Sequence, residues 1–137
     1  MEIRYPAWLR HEETGYFVEF VDLPDTFTEG QTVEEALFNA SEVLTAMLDF
    51  KIEHDQPIPS MSEGVSGAVY VAPDAKTQAA LLVRHARGER SMADLARALD
   101  TSWPAAQRLE DTRHWPSLKQ LEKAASALGK RLVLSME

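Results

Sequence analysis

The chain has 137 residues and a formal charge of −8, with no cysteine; 45% of its residues are hydrophobic and 26% charged. That length fits one ordinary domain or two small ones, and the composition is that of a globular chain, not a disordered one. The lack of cysteine excludes a disulfide scaffold, a thiol nucleophile and a zinc ribbon, and no run of about 18 apolar residues exists to span a membrane. The first ten residues lack the basic start and apolar core of a secretory signal, so the cytoplasm is the expected compartment.

The total charge hides an asymmetry. Residues 1–72 hold three basic and fourteen acidic residues, a net of −11; residues 73–137 hold eleven basic and eight acidic, a net of +3. The acidic half should repel nucleic acid and attract a basic partner, whereas the basic half suits phosphates. Two domains are expected, 1–72 and 73–137.

In chain order, Ile3, Tyr5, Ala7 and Leu9 recur at spacing two, which is strand periodicity. The polar stretch His11–Gly15 reads as a hairpin loop, and the β-branched and aromatic run Tyr16–Val21 as a second strand. Pro24 breaks that strand; Thr26–Thr28 is a short third one, ended by Gly30. Thr32 with Glu35 is a capping box. Behind it, Val33, Ala36, Leu37, Ala40, Val43, Leu44, Met47 and Leu48 form one apolar stripe on a helix of about five turns, with Glu34, Glu42, Asp49 and Glu53 off the stripe. The Pro/Ser/Gly-rich segment 56–67 is a loop, and Ala68–Ala72 a last strand.

Pro73-Asp74 opens a helix to about Ala86, with Ala75, Ala79, Leu82 and Ala86 inward, stopped near Gly88. Ser91 caps a short helix whose apolar face is Met92, Leu95, Ala96 and Leu99. Asp100-Thr101 turns, Pro104 sits in the first turn of the next helix, and Ala106 and Leu109 face inward. Ser117 and Gln120 form a capping box for a last helix carrying Leu118, Leu121, Ala124, Ala125 and Leu128, closed by Gly129. Leu132–Leu134 is apolar enough for a terminal strand. The architecture expected is α+β: a βββαβ module, then an all-α domain with a short C-terminal strand.

Two resemblances follow from these residues. Residues 91–129, with LARAL, the RLE at 108–110, a proline before the last helix and a terminal ALG, resemble the helix-turn-helix domain of phage-repressor-like (Xre-type) regulators. Asp100 stands where that family usually has glycine, and Trp103-Pro104 where it has polar residues. The resemblance implies that the helix near Trp103–Asp111 enters the major groove. Ser102, Trp103, Gln107 and Arg108 would then face base edges, and Arg113, His114 and Lys119 would hold phosphates.

The segments Gly15–Asp25 and Thr28–Leu37 resemble the HicB antitoxin family, in a G-Y-x-V strand, a D-x-P turn, a T-x-G-x-T segment and an E-A-L helix start. This implies a degenerate ribonuclease-H-like fold without nuclease activity. It also implies a small basic HicA-like toxin, an mRNA interferase, as partner, and repression of the operon through operator DNA. Trp8, Glu12, Glu13, Tyr16 and Glu19 are the expected toxin contacts, with Phe17 beside Trp8 and Tyr16 as a candidate aromatic anchor. The residues themselves agree: the first strand carries no carboxylate from Ile3 to Leu9, so magnesium-dependent cleavage is not expected. His11, His54, His85 and His114 are scattered, no metal-ligand pair or nucleophile elbow occurs, and no catalysis, metal or cofactor is expected. Because one helix pair reads only a half-site, a homodimer or higher oligomer, up to a tetramer, is expected, with residues 131–136 pairing across it. The competing reading is a transcription regulator whose N-terminal module senses a small molecule.

Overall fold

The computed structural model describes residues 1–137 as two compact units, Met1–Thr77 and Gln78–Glu137. In the first, strands β1 (Tyr5–Glu12), β2 (Gly15–Phe20) and β3 (Phe27–Gly30) precede helix α1 (Val33–Glu53) and strand β4 (Val69–Val71). They form one antiparallel sheet in the order β3-β2-β1-β4. Alternation divides its residues between two faces. One carries Tyr5, Ala7, Val18 and Phe20, all buried, and packs against the α1 stripe of Ala36, Ala40, Leu44 and Leu48. Val33, Leu37, Val43 and Met47 are half-buried at its flanks. The stripe is the one the spacing predicts.

Close approach fixes one residue type. A Cβ on Gly30 would lie 2.5 Å from the backbone nitrogen of Ala36, so only glycine lets the end of β3 meet the first turn of α1. The helix starts on Thr32, whose hydroxyl oxygen accepts from the Glu35 amide at 3.1 Å. It ends in a Schellman motif: Asp55 takes φ +51°, and the Gln56 amide donates to the Lys51 carbonyl at 2.8 Å.

The segment after α1, 56–68, has no regular structure but is tied down. The Tyr5 hydroxyl donates to the Pro59 carbonyl (2.6 Å), and the Asp22 carboxylate accepts from both the amide (2.9 Å) and the hydroxyl (2.6 Å) of Ser62. The sequence suggests that Asp22 and Asp25 serve their own turn. Asp22 instead holds the distant loop, and Asp25 takes a left-handed φ of +56°. Asp49, off the apolar stripe of α1, is likewise engaged by a distant segment. Ser41, Thr45 and Asp49 lie at spacing four on α1 and bind the segment that follows β4: Ser41 donates to the Ala72 carbonyl, Thr45 accepts from the Asp74 amide, and Asp49 accepts from the Thr77 hydroxyl at 2.7 Å. Lys76 adds ion pairs to Asp49 (3.9 Å) and Asp74 (3.7 Å).

Helix α2 (Ala75–Arg87) begins in the first unit and continues into the second. Its burial departs from the stripe read in the sequence. Ala75 is exposed and Leu82 half-buried, while Thr77, Ala79, Ala80, Leu81 and Val83 are buried. Burial therefore runs around the helix, as it does when more than one side is covered, and a single-stripe reading fails. In the second unit, α3 (Met92–Ala98), α4 (Trp103–Arg108) and α5 (Leu118–Ala127) follow. Val83, Leu95, Ala96, Leu99, Ala106, Leu109, Ala124 and Leu128 form their core. Leu118, expected inward, is 59% exposed at the first position of α5, where the helix has not yet reached the core. Residues 130–137 form no strand. A strand needs a ladder partner, and they have none within the chain, so Val133 and Leu134 stay exposed.

Candidate interaction surfaces

The sheet face opposite α1 is open. Cross-strand register sets its side chains in two rows: Trp8 opposite Glu19 opposite Phe27, then Arg10 opposite Phe17 opposite Glu29. Trp8 is 39% exposed and Phe27 54%. The Phe17 and Phe27 rings lie 5.7 Å apart, and the Arg10 guanidinium sits 5.1 Å from the Phe17 ring centre while its tip reaches Glu19 at 3.8 Å. Of the residues expected to meet a toxin, Trp8, Glu12 and Glu19 share this face. Glu13 lies in the β1–β2 turn, and Tyr16 falls on the opposite face, stacked 4.7 Å from His11. The structure thus brings together three of the five. Phe17, a candidate aromatic anchor by sequence, shares the face with Glu19 by alternation along β2, and Phe27, which sequence reasoning missed, joins through the β2–β3 register.

In the second unit, α3 ends in another Schellman motif. Asp100 takes φ +52°, and the Thr101 amide donates to the Ala96 carbonyl at 3.0 Å. Asp100 therefore adopts the left-handed conformation for which the resemblance leads one to expect glycine. Ser102 caps α4, its hydroxyl oxygen accepting from the Ala105 amide at 3.2 Å. Trp103 (48% exposed), Gln107 and Arg108 project from α4 into solvent.

The remaining candidates are placed differently. Arg113 is exposed but its guanidinium grips the Asp111 carboxylate with two bonds of 3.0 Å, and His114 stands 3.7 Å from the same carboxylate. The Arg113 hydrogen bond holds the Asp111 carboxyl below its ordinary range. Lys119 is exposed in the first turn of α5, where the Ser117–Gln120 capping box is complete.

Beneath this surface lies an ion pair that spacing alone does not reveal. Glu110 accepts two bonds from Arg87, at 2.6 and 2.9 Å, while Arg87 also donates to the Arg90 carbonyl at 2.6 Å. The pair is mostly buried and joins the end of α2 to the segment after α4; the Glu110 bond raises the Arg87 pKa further above its already high value. Across the chain, no three His, Asp or Glu side chains gather as a metal site would require, and no helix is long and apolar enough to cross a membrane.

Comparison with known proteins places these features. A family model described as the HicB-like antitoxin of bacterial toxin–antitoxin systems matches residues 4–79. Antitoxin HicB 2 of Photorhabdus laumondii is 36% identical over 132 residues, covering 96% of this chain and 95% of that protein. Antitoxin HicB of Escherichia coli K12 is 33% identical over 137 residues, covering 98% and 99%. Among solved structures, a chain of a toxin–antitoxin complex from Streptococcus pneumoniae superposes loosely, with a TM-score of 0.47 and 20% identity over 79% of this chain and 95% of that one. The matched segment contains the open sheet and α1, the relatives extend over both units, and the chain belongs to the HicB-like antitoxin family of bacterial toxin–antitoxin systems.

Proposed function

We propose that the chain is a non-catalytic antitoxin. Its first unit binds and inhibits a small basic mRNA-interferase toxin of the HicA kind, and its second represses the shared operon. The observation that carries this reading is the pairing, within one HicB-family chain, of a sheet unit of net charge −11 with a helical unit of net charge +3. A toxin that cleaves RNA is cationic where RNA lies, so an acidic inhibitor is drawn to that surface. The strand-strand-strand-helix-strand order supports a degenerate ribonuclease-H-like module, with Asp22 spent on Ser62.

The α3–α4 pair acts as a helix-turn-helix in this reading. Trp103, Gln107 and Arg108 face the bases, Arg108 pairing with a guanine and Gln107 with an adenine. Lys119 meets phosphate. Arg113 and His114 reach phosphate only by sharing themselves with Asp111. Two chains bind as a dimer to a palindromic operator.

The test is to look beside this chain's gene for the small basic reading frame that the reading requires, and to co-express the two. A stoichiometric complex, relief of the growth arrest that frame causes alone, and a gel shift of the operon's own promoter are expected. A free chain that neither binds that product nor shifts the promoter would overturn the reading.

A further inference from the structure

Resting on that reading, we propose that the open sheet face is where the toxin docks, with Trp8 and Phe27 as its apolar anchors and Glu12, Glu19 and Glu29 as its electrostatic frame. An antiparallel sheet with one solvated face ordinarily covers that face with polar side chains. Here the three strands β1–β3 place Trp8, Phe17 and Phe27 within two adjacent rows, and two of the three rings are well exposed. Large aromatics of this kind, ringed by charge, are the residues on which binding energy concentrates.

The charges choose the occupant. Of the ionic side chains in the two rows and at the adjoining strand end, three are carboxylates and one is a guanidinium, and Arg10 is already held by Glu19 and the Phe17 ring. A second copy of this chain would bring like carboxylates together on a unit of net charge −11. A cationic protein surface would meet Glu12 and Glu29, which make no ion pair within the chain, and Glu19, which shares its charge with Arg10 alone. The exposed helix aromatic Phe38, 64% exposed on α1, lies on the other side of the sheet and has no part in this surface.

The probe is the purified small basic polypeptide encoded next to this chain, measured against the full-length antitoxin by surface plasmon resonance. Trp8→Ser and Phe27→Ser should each weaken binding roughly tenfold or more, chiefly through faster dissociation. Glu19→Gln and Glu29→Gln should slow association and flatten its salt dependence while changing dissociation little. Phe38→Ser should bind as the parent does. Circular dichroism checks each variant's fold; should Trp8→Ser unfold, Phe27→Ser and the two acidic variants carry the test.

Unchanged rates in the sheet variants beside tight parental binding would overturn the docking face and leave the antitoxin reading standing. No binding by the parent chain would overturn both. Parental self-association in sedimentation that Trp8→Ser abolishes, with toxin affinity intact, would assign the face to a second copy and overturn the proposal.

Discussion

Tyr5 and Glu110 show how much a single buried polar group can hold. Tyr5 is 1% exposed, and burial, with the Asp22 carboxylate adding to it, pushes its hydroxyl up to about 12. The folded state therefore keeps the proton that the unfolded chain releases near pH 10. This contribution is fully present below pH 10 and is lost as pH rises towards 12, so the protein should weaken by up to about 2–3 kcal/mol across that window. Tyr5→Phe should flatten this part of the profile, although it loses the bond to Pro59 and starts about 1 kcal/mol lower. Urea denaturation of both proteins at pH 9, 10 and 11 checks the difference in slope. Glu110→Ala leaves the Arg87 guanidinium buried without its carboxylate and should cost roughly 2–3 kcal/mol, read as a lower urea midpoint at neutral pH. Neither residue was legible as a partner from the sequence. Tyr5 and Pro59 are 54 positions apart and Arg87 and Glu110 are 23 apart, and periodicity reports a residue's face, not its distant contact.

Element by element, the sequence carried most of what local chemistry decides. Thr32, Ser91, Ser102 and Ser117 all cap helices through hydroxyls that accept from the third residue on, which short-range patterns can report. The α1 stripe was legible for the same reason. The face of α2 was not, because it depends on what surrounds the helix. The sheet surface was legible only in part: alternation sets Trp8 with Glu12 on β1 and Phe17 with Glu19 on β2, but the two pairs and Phe27 meet through a register that no single strand specifies. Asp100 gives a test at this scale. Its φ of +52° is strained for a side chain with a Cβ, and Asp100→Gly should stabilise the second unit by about 0.5–1 kcal/mol. Thermal denaturation of the full chain measures this; a lower midpoint would mean that the carboxylate contributes more than the conformation costs.

For the whole molecule, the proposed function divides the work between an acidic and a basic unit, and the basic one can be tested residue by residue. Arg108 is exposed and has no acidic partner within 4 Å, whereas Arg113 is held by Asp111. Arg108→Ala should weaken operator binding by about 1–3 kcal/mol and relax preference at one base pair. Arg113→Ala should cost less, since any phosphate contact it makes must compete with Asp111. Titrations of labelled promoter DNA at several salt concentrations distinguish the two.

The three-residue stripe Ser41, Thr45 and Asp49 carries a further consequence, visible in time more than in space. Its bonds fasten the Asp74 amide and the Thr77 hydroxyl to α1, while Val83, six residues on, belongs to the second unit's core. One continuous helix is thus divided between two compact units. Deuterium uptake should show it: in α2 the amide of Thr77 should open with the sheet, those beyond Val83 with the three short helices, and Asp49→Ala should quicken only the former.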